Sequence, residues 1–290
     1  MKDNALRLLF ILFILLFVGG LVYAGTPVSN SPLLTQAALL IFGIQVLMFL
    51  PSYWAQTEHF YDLTGGLTYL SALAFMAYGH QQLYGSWDLR SLVLVVLIGI
   101  WAIRLSSFLF TRVQRVGKDG RFDEIKTSFT RFLLAWMLQG LWVFMCTYPA
   151  LIALASPPKK EIIFLCLGAL LWLVGWGYEV LADHQKTAFN KDLNNKGKFI
   201  DRGLWAQSRH PNYVGEWVLW TGITLIALPV FEGPQWLALI TPCFVYGLLN
   251  KVSGVNLLEE RADQKWGDDP AYQQYKKETP VFFPNFFKSN

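Results

Sequence analysis

The stretch Gly203–Glu216, GLWAQSRHPNYVGE, runs directly into the apolar segment WVLWTGITLIALPV of 217–230. Within eight residues it sets out a cation, an imidazole, an amide, a phenol and a carboxylate: Arg209, His210, Asn212, Tyr213 and Glu216. Proline is favoured in a first helical turn, so a helix beginning near Pro211 places Asn212 and Glu216 at i and i+4 on one face. The N-terminal end of such a helix attracts anions through its free N–H groups and its dipole. Such a cluster is either a polar collar at a membrane boundary or a ligand site. Charge at membrane depth is costly enough to favour the second.

Composition places that helix in a bilayer. The 290 residues are 54% hydrophobic and 16% aromatic but 15% charged, against about 25% charged in an ordinary soluble domain. Apolar runs approaching the roughly 20 residues of a membrane span fall at 5–24, 34–53, 63–84, 91–111, 132–153, 162–182, 214–231 and 236–250, the last two short. Eight spans return both termini to one side, which then carries twenty of the twenty-four Lys and Arg, leaving Arg90, Lys159 and Lys160 opposite and Arg104 within a span. That asymmetry marks the basic face as cytoplasmic. The first run follows Lys2 and Arg7 and ends in Val22-Tyr23-Ala24, so it reads as a retained helix or as a secretory signal. Its length favours retention. Cys146, Cys166 and Cys243 lie apart within apolar runs and are expected in the core.

Several polar residues stand out along the chain. Glu58 and Asp62 sit one turn apart if the second helix continues through them, which would raise one carboxyl and make it a proton donor. The alternative is a wet loop with Asp62 as the next N-cap. Arg104 lies inside the fourth span, facing a cavity or anion or else snorkelling to the interface. Arg112, Arg115, Lys118, Arg121 and Lys126 follow as a basic loop suited to a phosphate-bearing ligand. Gln139, in mid-membrane, is either a helix-to-helix hydrogen bond or a ligand contact. Glu179, Asp183, Lys186 and Asn190 keep helix-face spacing and form one polar stripe. From Glu259 the chain is amphipathic, with Trp266, Tyr272 and Tyr275 as interfacial anchors or as an aromatic lid over a ligand.

LADHQKTAF, then NKGKFIDRGLWAQSRHPNYVGEWVLW, and later SGVNLLEERADQKWG with YQQYKKETPVFFP strongly resemble the bacterial DUF1295 proteins of the steroid 5-alpha-reductase (3-oxo-5-alpha-steroid 4-dehydrogenase) superfamily, over roughly residues 35–287. The resemblance implies an all-α polytopic membrane protein: a seven-helix bundle at 31–290, with residues 1–30 an added N-terminal helix, in a bacterial inner membrane with the cofactor site and C-terminus cytoplasmic. It further implies NADPH as cofactor and hydride transfer to a carbon–carbon double bond conjugated with a ketone. On this basis Arg104, Arg112, Arg121, Asp183, Lys186, Arg209, His210, Asn212, Tyr213 and Glu216 are expected at the cofactor. Trp101 and Gln139 are expected at the substrate, and Asp62 or Glu58 as the proton donor. The steroid reductases carry a Gln-Glu pair and a tyrosine that polarise the ketone. Here the acid matches Glu58 or Asp62 loosely, and the tyrosine position is Trp101, so another lipophilic enone or lipid-like alkene fits as well.

No GxGxxG occurs, so a dinucleotide would be held by side chains and not by a soluble nucleotide-binding unit. The alternatives are an S-adenosylmethionine-dependent isoprenylcysteine or phospholipid methyltransferase, which shares an RHPxYxG-like motif, and a non-catalytic sterol- or lipid-binding protein. His59, His80, His184 and His210 are too few and too scattered for a di-iron site, so no metal is expected. Membrane lipids and a lipophilic small molecule are the expected partners, with neither nucleic acid nor an obligate protein partner.

Overall fold

The computed structural model describes residues 2–27, 31–116, 120, 122–252 and 254–285. Helices follow the apolar runs: α1 Lys2–Gly25, α2 Leu33–Trp54, α3 Tyr61–Tyr84, α4 Leu89–Val116, α5 Phe129–Ala155, α6 Ile163–Lys191, α7 Leu204–Gln207, α8 Pro211–Ala227, α9 Ile240–Gly247, α10 Val255–Trp266 and α11 Pro270–Glu278. Among the described residues, seven helical segments are long and apolar enough to cross a membrane, and the protein is an all-α polytopic membrane protein. Eight spans were expected. The difference is α3, as long as its neighbours but carrying Asp62, Thr64, Thr68, His80, Gln81 and Gln82. Its polar groups find partners inside the protein: Gln45 donates to Thr68 Oγ1 at 2.8 Å, and Thr68 donates to Thr64 O at 2.7 Å. The apolar run at 236–250 is not one helix, because a 3-10 segment Gly233–Leu239 precedes α9 and a π-helical turn Leu248–Val252 follows it.

The chain packs as two compact units, residues 1–165 with 226–239, and residues 166–225 with 240–290. In the first unit α5 is the central element and touches α1, α2, α3 and α4. Phe132, Trp136, Phe144 and Tyr148 on it are wholly buried. On α1, Ile11, Ile14, Val18 and Leu21 form a buried stripe while Leu9, Phe13 and Leu16 stay exposed, so the helix is apolar all round, as lipid requires. Cys146 is buried, but Cys166 and Cys243 are exposed and do not belong to the core. Cysteine behaves as a small hydrophobe, and exposed positions on membrane helices suit it equally.

The α2–α3 connection corrects the reading of Glu58 and Asp62. The second helix stops at Trp54, with Gln56 at a φ of 49°, and Thr57 and His59 joined by a 2.8 Å hydrogen bond. Glu58 therefore lies in the turn, buried, with its Oε2 2.6 Å from Lys126 Nζ. Asp62 sits in the first turn of α3, whose N-cap is Phe60.

At the α3–α4 turn, Asp88 caps α4 by accepting from the Arg90 and Ser91 backbone N–H groups at 2.9 and 3.2 Å, and its Oδ2 lies 3.2 Å from His80 Nε2. Burial pushes the Asp88 carboxyl up, but hydrogen bonds from His80 and Ser91 outweigh it and hold it well below its ordinary value of 3.8. The carboxyl is depressed in the fold, so its stabilisation is complete above that ordinary value and fades as pH falls through the lower folded one. Wild type and Asp88→Ala should differ in thermal stability by a constant amount from neutral pH down to about pH 4, roughly 1–2 kcal/mol as for a lost cap, and converge in stronger acid. Equal stability at neutral pH would contradict this role.

Candidate functional site

The second unit is built on the crossing of α6 and α8. Gly168 and Gly175 on α6 and Gly215 and Gly222 on α8, each pair seven residues apart, bring the two backbones into direct contact. A Cβ on Gly175 would lie 2.5 Å from Leu219 N and 2.6 Å from Gly215 O, and one on Gly215 2.5 Å from both Glu179 N and Gly175 O. Small residues permit such approaches between membrane helices. As expected, α8 begins at Pro211 and α6 carries the stripe from Glu179 and Asp183, both buried, through half-buried Lys186 to exposed Asn190. Glu216 is buried, Asn212 and Tyr213 half-buried, and the Tyr213 ring stacks on His210 at 5.8 Å.

The approach to α8 is pinned on both sides. On one, Gln185 Oε1 accepts from Leu204 N–H at 2.9 Å, and Trp205 Nε1 donates to Ala182 O at 3.0 Å. Gly203, at a φ of 64°, makes the turn that allows this. On the other, the C-terminal segment runs back along 206–209. Ser208 Oγ donates to Phe282 O at 2.7 Å, Arg209 N–H to Pro280 O at 3.0 Å and Asn285 N–H to Gln207 O at 3.0 Å. These bonds fix Arg209 and His210 in place.

Both residues meet Glu259 of α10. Arg209 Nη1 lies 2.7 Å from Glu259 Oε2, and His210 Nε2 lies 2.8 Å from Oε1. Burial pushes His210 below its ordinary value, with the charges of Lys186 and Arg209 acting the same way and Glu259 opposing them. Together the three residues border a cavity of about 280 Å³. Lys186, Lys198, Arg261 and Lys265 add four more cations to its lining, and Phe199, Trp205, Trp266, Tyr272 and Tyr275 supply aromatic walls. The walls are anchored: Trp266 Nε1 donates to Gly197 O at 2.6 Å, Tyr275 OH to Trp205 O at 2.7 Å, and Lys186 Nζ stands 4.3 Å from the Trp205 ring centre. Glu259 also borders a second cavity of about 430 Å³, walled by Tyr246, Phe282 and Phe283 beside the π-helical turn.

Of the expected residues, Lys186, Arg209 and His210 converge on the first cavity, while Asp183, Asn212, Tyr213 and Glu216 stand on the helices that carry it. The others belong to the first unit. Arg104, half-buried on α4, has its guanidinium carbon 5.5 Å from the Phe108 ring centre. Arg112 is exposed on α4, Trp101 is buried against Tyr69, and Gln139 donates to Tyr61 O at 3.0 Å, a helix-to-helix bond. Glu58 is held by Lys126, and a carboxylate so paired is an acceptor, the opposite of what a proton donor requires. Arg121 lies outside the described residues. Trp266, Tyr272 and Tyr275 line the first cavity. Glu259 was not singled out. Its signal is positional: Val255, Leu258, Glu259, Ala262 and Trp266 share one helical face, which sets it apart from exposed Glu260.

Fold and site together define a polytopic helical membrane protein whose second unit encloses a basic, aromatic-walled cavity. Residues 48–279 match the family described as Protein of unknown function (DUF1295), and the chain belongs to that family. No curated protein matched the sequence.

Proposed function

We propose that the protein is a membrane-embedded, NADPH-dependent reductase that transfers hydride to a carbon–carbon double bond of a lipophilic substrate, a steroid-like or other enone. The observation that carries this reading is the lining of the 280 Å³ cavity: five cationic side chains, Glu259 already engaged by Arg209 and His210, and aromatic rings on the walls. NADPH offers phosphates to the cations and a flat base at each end to the rings. S-adenosylmethionine carries a sulfonium and no phosphate, so the same cations oppose it. A cavity of this volume lies just below the roughly 300–1,000 Å³ usual for ligand sites and suits one end of a dinucleotide.

When bound, the cofactor would supply the hydride. This chain's residues would do the holding: Lys198, Arg261 and Lys265, exposed at the rim, would take phosphate oxygens, and Arg209 and His210 would face the buried end. The basic residues counted toward the cytoplasmic side include this rim, where NADPH is available.

The test is to supply NADPH deuterated at the transferable C4 position to the purified protein with membrane lipid extract and a panel of lipophilic enones. Carbon-bound deuterium in a saturated product, found by mass spectrometry and dependent on the protein, is the expected result. Methyl transfer from labelled S-adenosylmethionine, with no deuterium transfer, would overturn the proposal.

A further inference from the structure

Arg209 and His210 are more than a paired cation and imidazole. The Arg209 side chain is 10% exposed and His210 is 5% exposed. Arg209 Nη1 is taken up by its ion pair with Glu259, but Arg209 Nε makes no hydrogen bond among the described residues. His210 Nε2 faces a carboxylate and so carries the ring proton, leaving Nδ1 a bare acceptor that is buried and likewise unbonded. Unpaired buried donors and acceptors are costly and rare in native proteins. Here a donor and an acceptor stand on adjacent residues, braced by one carboxylate, at the border of one cavity.

Resting on the reductase reading, we infer that Arg209 and His210 form a matched donor and acceptor that grips a planar edge of the cofactor bearing an acceptor beside an NH2 group. Arg209 donates to the acceptor, and His210 Nδ1 accepts from the amine. A phosphate satisfies Arg209 but presents oxygen lone pairs to Nδ1, so an anion leaves half of this pair unmet. The rim cations are placed for phosphates, and this pair is placed for a neutral group. The depressed protonation of His210 agrees, since a protonated Nδ1 could no longer accept. Two parts of NADPH present such an edge: the carboxamide of the nicotinamide and the amino edge of the adenine.

Binding of three ligands to the detergent-solubilised full chain, measured by calorimetry, tests the inference and separates the two sources. They are NADPH, its 3-acetylpyridine analogue with methyl in place of the carboxamide NH2, and its hypoxanthine analogue with oxo in place of the adenine NH2. One analogue should bind roughly 10- to 100-fold more weakly than NADPH, the range for one buried acceptor left unpaired, and which one it is names the edge. In His210→Leu, NADPH should fall to the affinity of that analogue and the analogue should hardly change. If both analogues match NADPH on the wild-type protein, the inference is overturned while the reductase reading stands, and this comparison needs no variant to fold. Discrimination that persists in His210→Leu also overturns it. If NADPH itself does not bind, the reductase reading fails and the inference with it.

Discussion

Glu259→Gln should abolish measurable NADPH binding and lower the stability of the second unit by roughly 3 kcal/mol, the usual effect of removing one partner from a buried ion pair. Glutamine keeps the shape of the side chain and removes its charge. That leaves the Arg209 guanidinium, nine-tenths buried, without its counter-ion, and puts an NH2 donor where one of the two acceptor oxygens stood, so the side chain can no longer accept from both Arg209 and His210. One of the two residues would then be free to turn. The neighbouring Glu260 is exposed, so Glu260→Gln should change stability by no more than about 0.5 kcal/mol. Thermal unfolding and NADPH titration of the two variants side by side provide the check. Indistinguishable variants would remove Glu259 from the site.

Gly175→Ala should be among the most damaging single methyls added to the second unit. The new Cβ would meet Leu219 N and Gly215 O at 2.5 and 2.6 Å. These are backbone atoms, so no side chain can swing aside and the helices themselves must separate. Overpacking of this kind costs roughly 1–3 kcal/mol, sometimes more. Parting α6 from α8 also shifts Lys186 on α6 relative to His210 just before α8, both of which line the cavity, so ligand binding should fall together with stability. Gly177, two residues along α6, has no atom within 4 Å of its hypothetical Cβ. Gly177→Ala should be neutral or stabilising by up to about 1 kcal/mol, since alanine is the better helix former. Equal melting of both variants would show that the glycine contact does not hold the unit together.

What the sequence disclosed follows from the range of the interactions involved. Helical spacing is local, so the start of α8 at Pro211 and the stripe from Glu179 to Asn190 were readable from residue positions alone. The pairing of Glu259 with Arg209 and His210 was not, because it joins side chains 49 residues apart in sequence, which no local pattern encodes. Length and hydropathy alone leave α3 out of the spans for a related reason. Its Thr68 and His80 are satisfied by Gln45 and by Leu154 O, distant in sequence, and a window of residues cannot register those partners. The expected carboxylate pair assumed a helix through Glu58, whereas Gln56 at a positive φ ends it. Apolar flanks placed Cys166 and Cys243 in the core, yet in a membrane protein apolar flanks describe the outer surface equally well.

The most direct test of the account is the thermal stability of the purified protein in detergent with NADPH and with S-adenosylmethionine, measured in parallel. A ligand at 100 times its dissociation constant stabilises by about 2.7 kcal/mol, a shift that is readily detected. NADPH should give a shift that is absent in Glu259→Gln, and S-adenosylmethionine should give none. A shift with S-adenosylmethionine and none with NADPH would contradict the reductase reading.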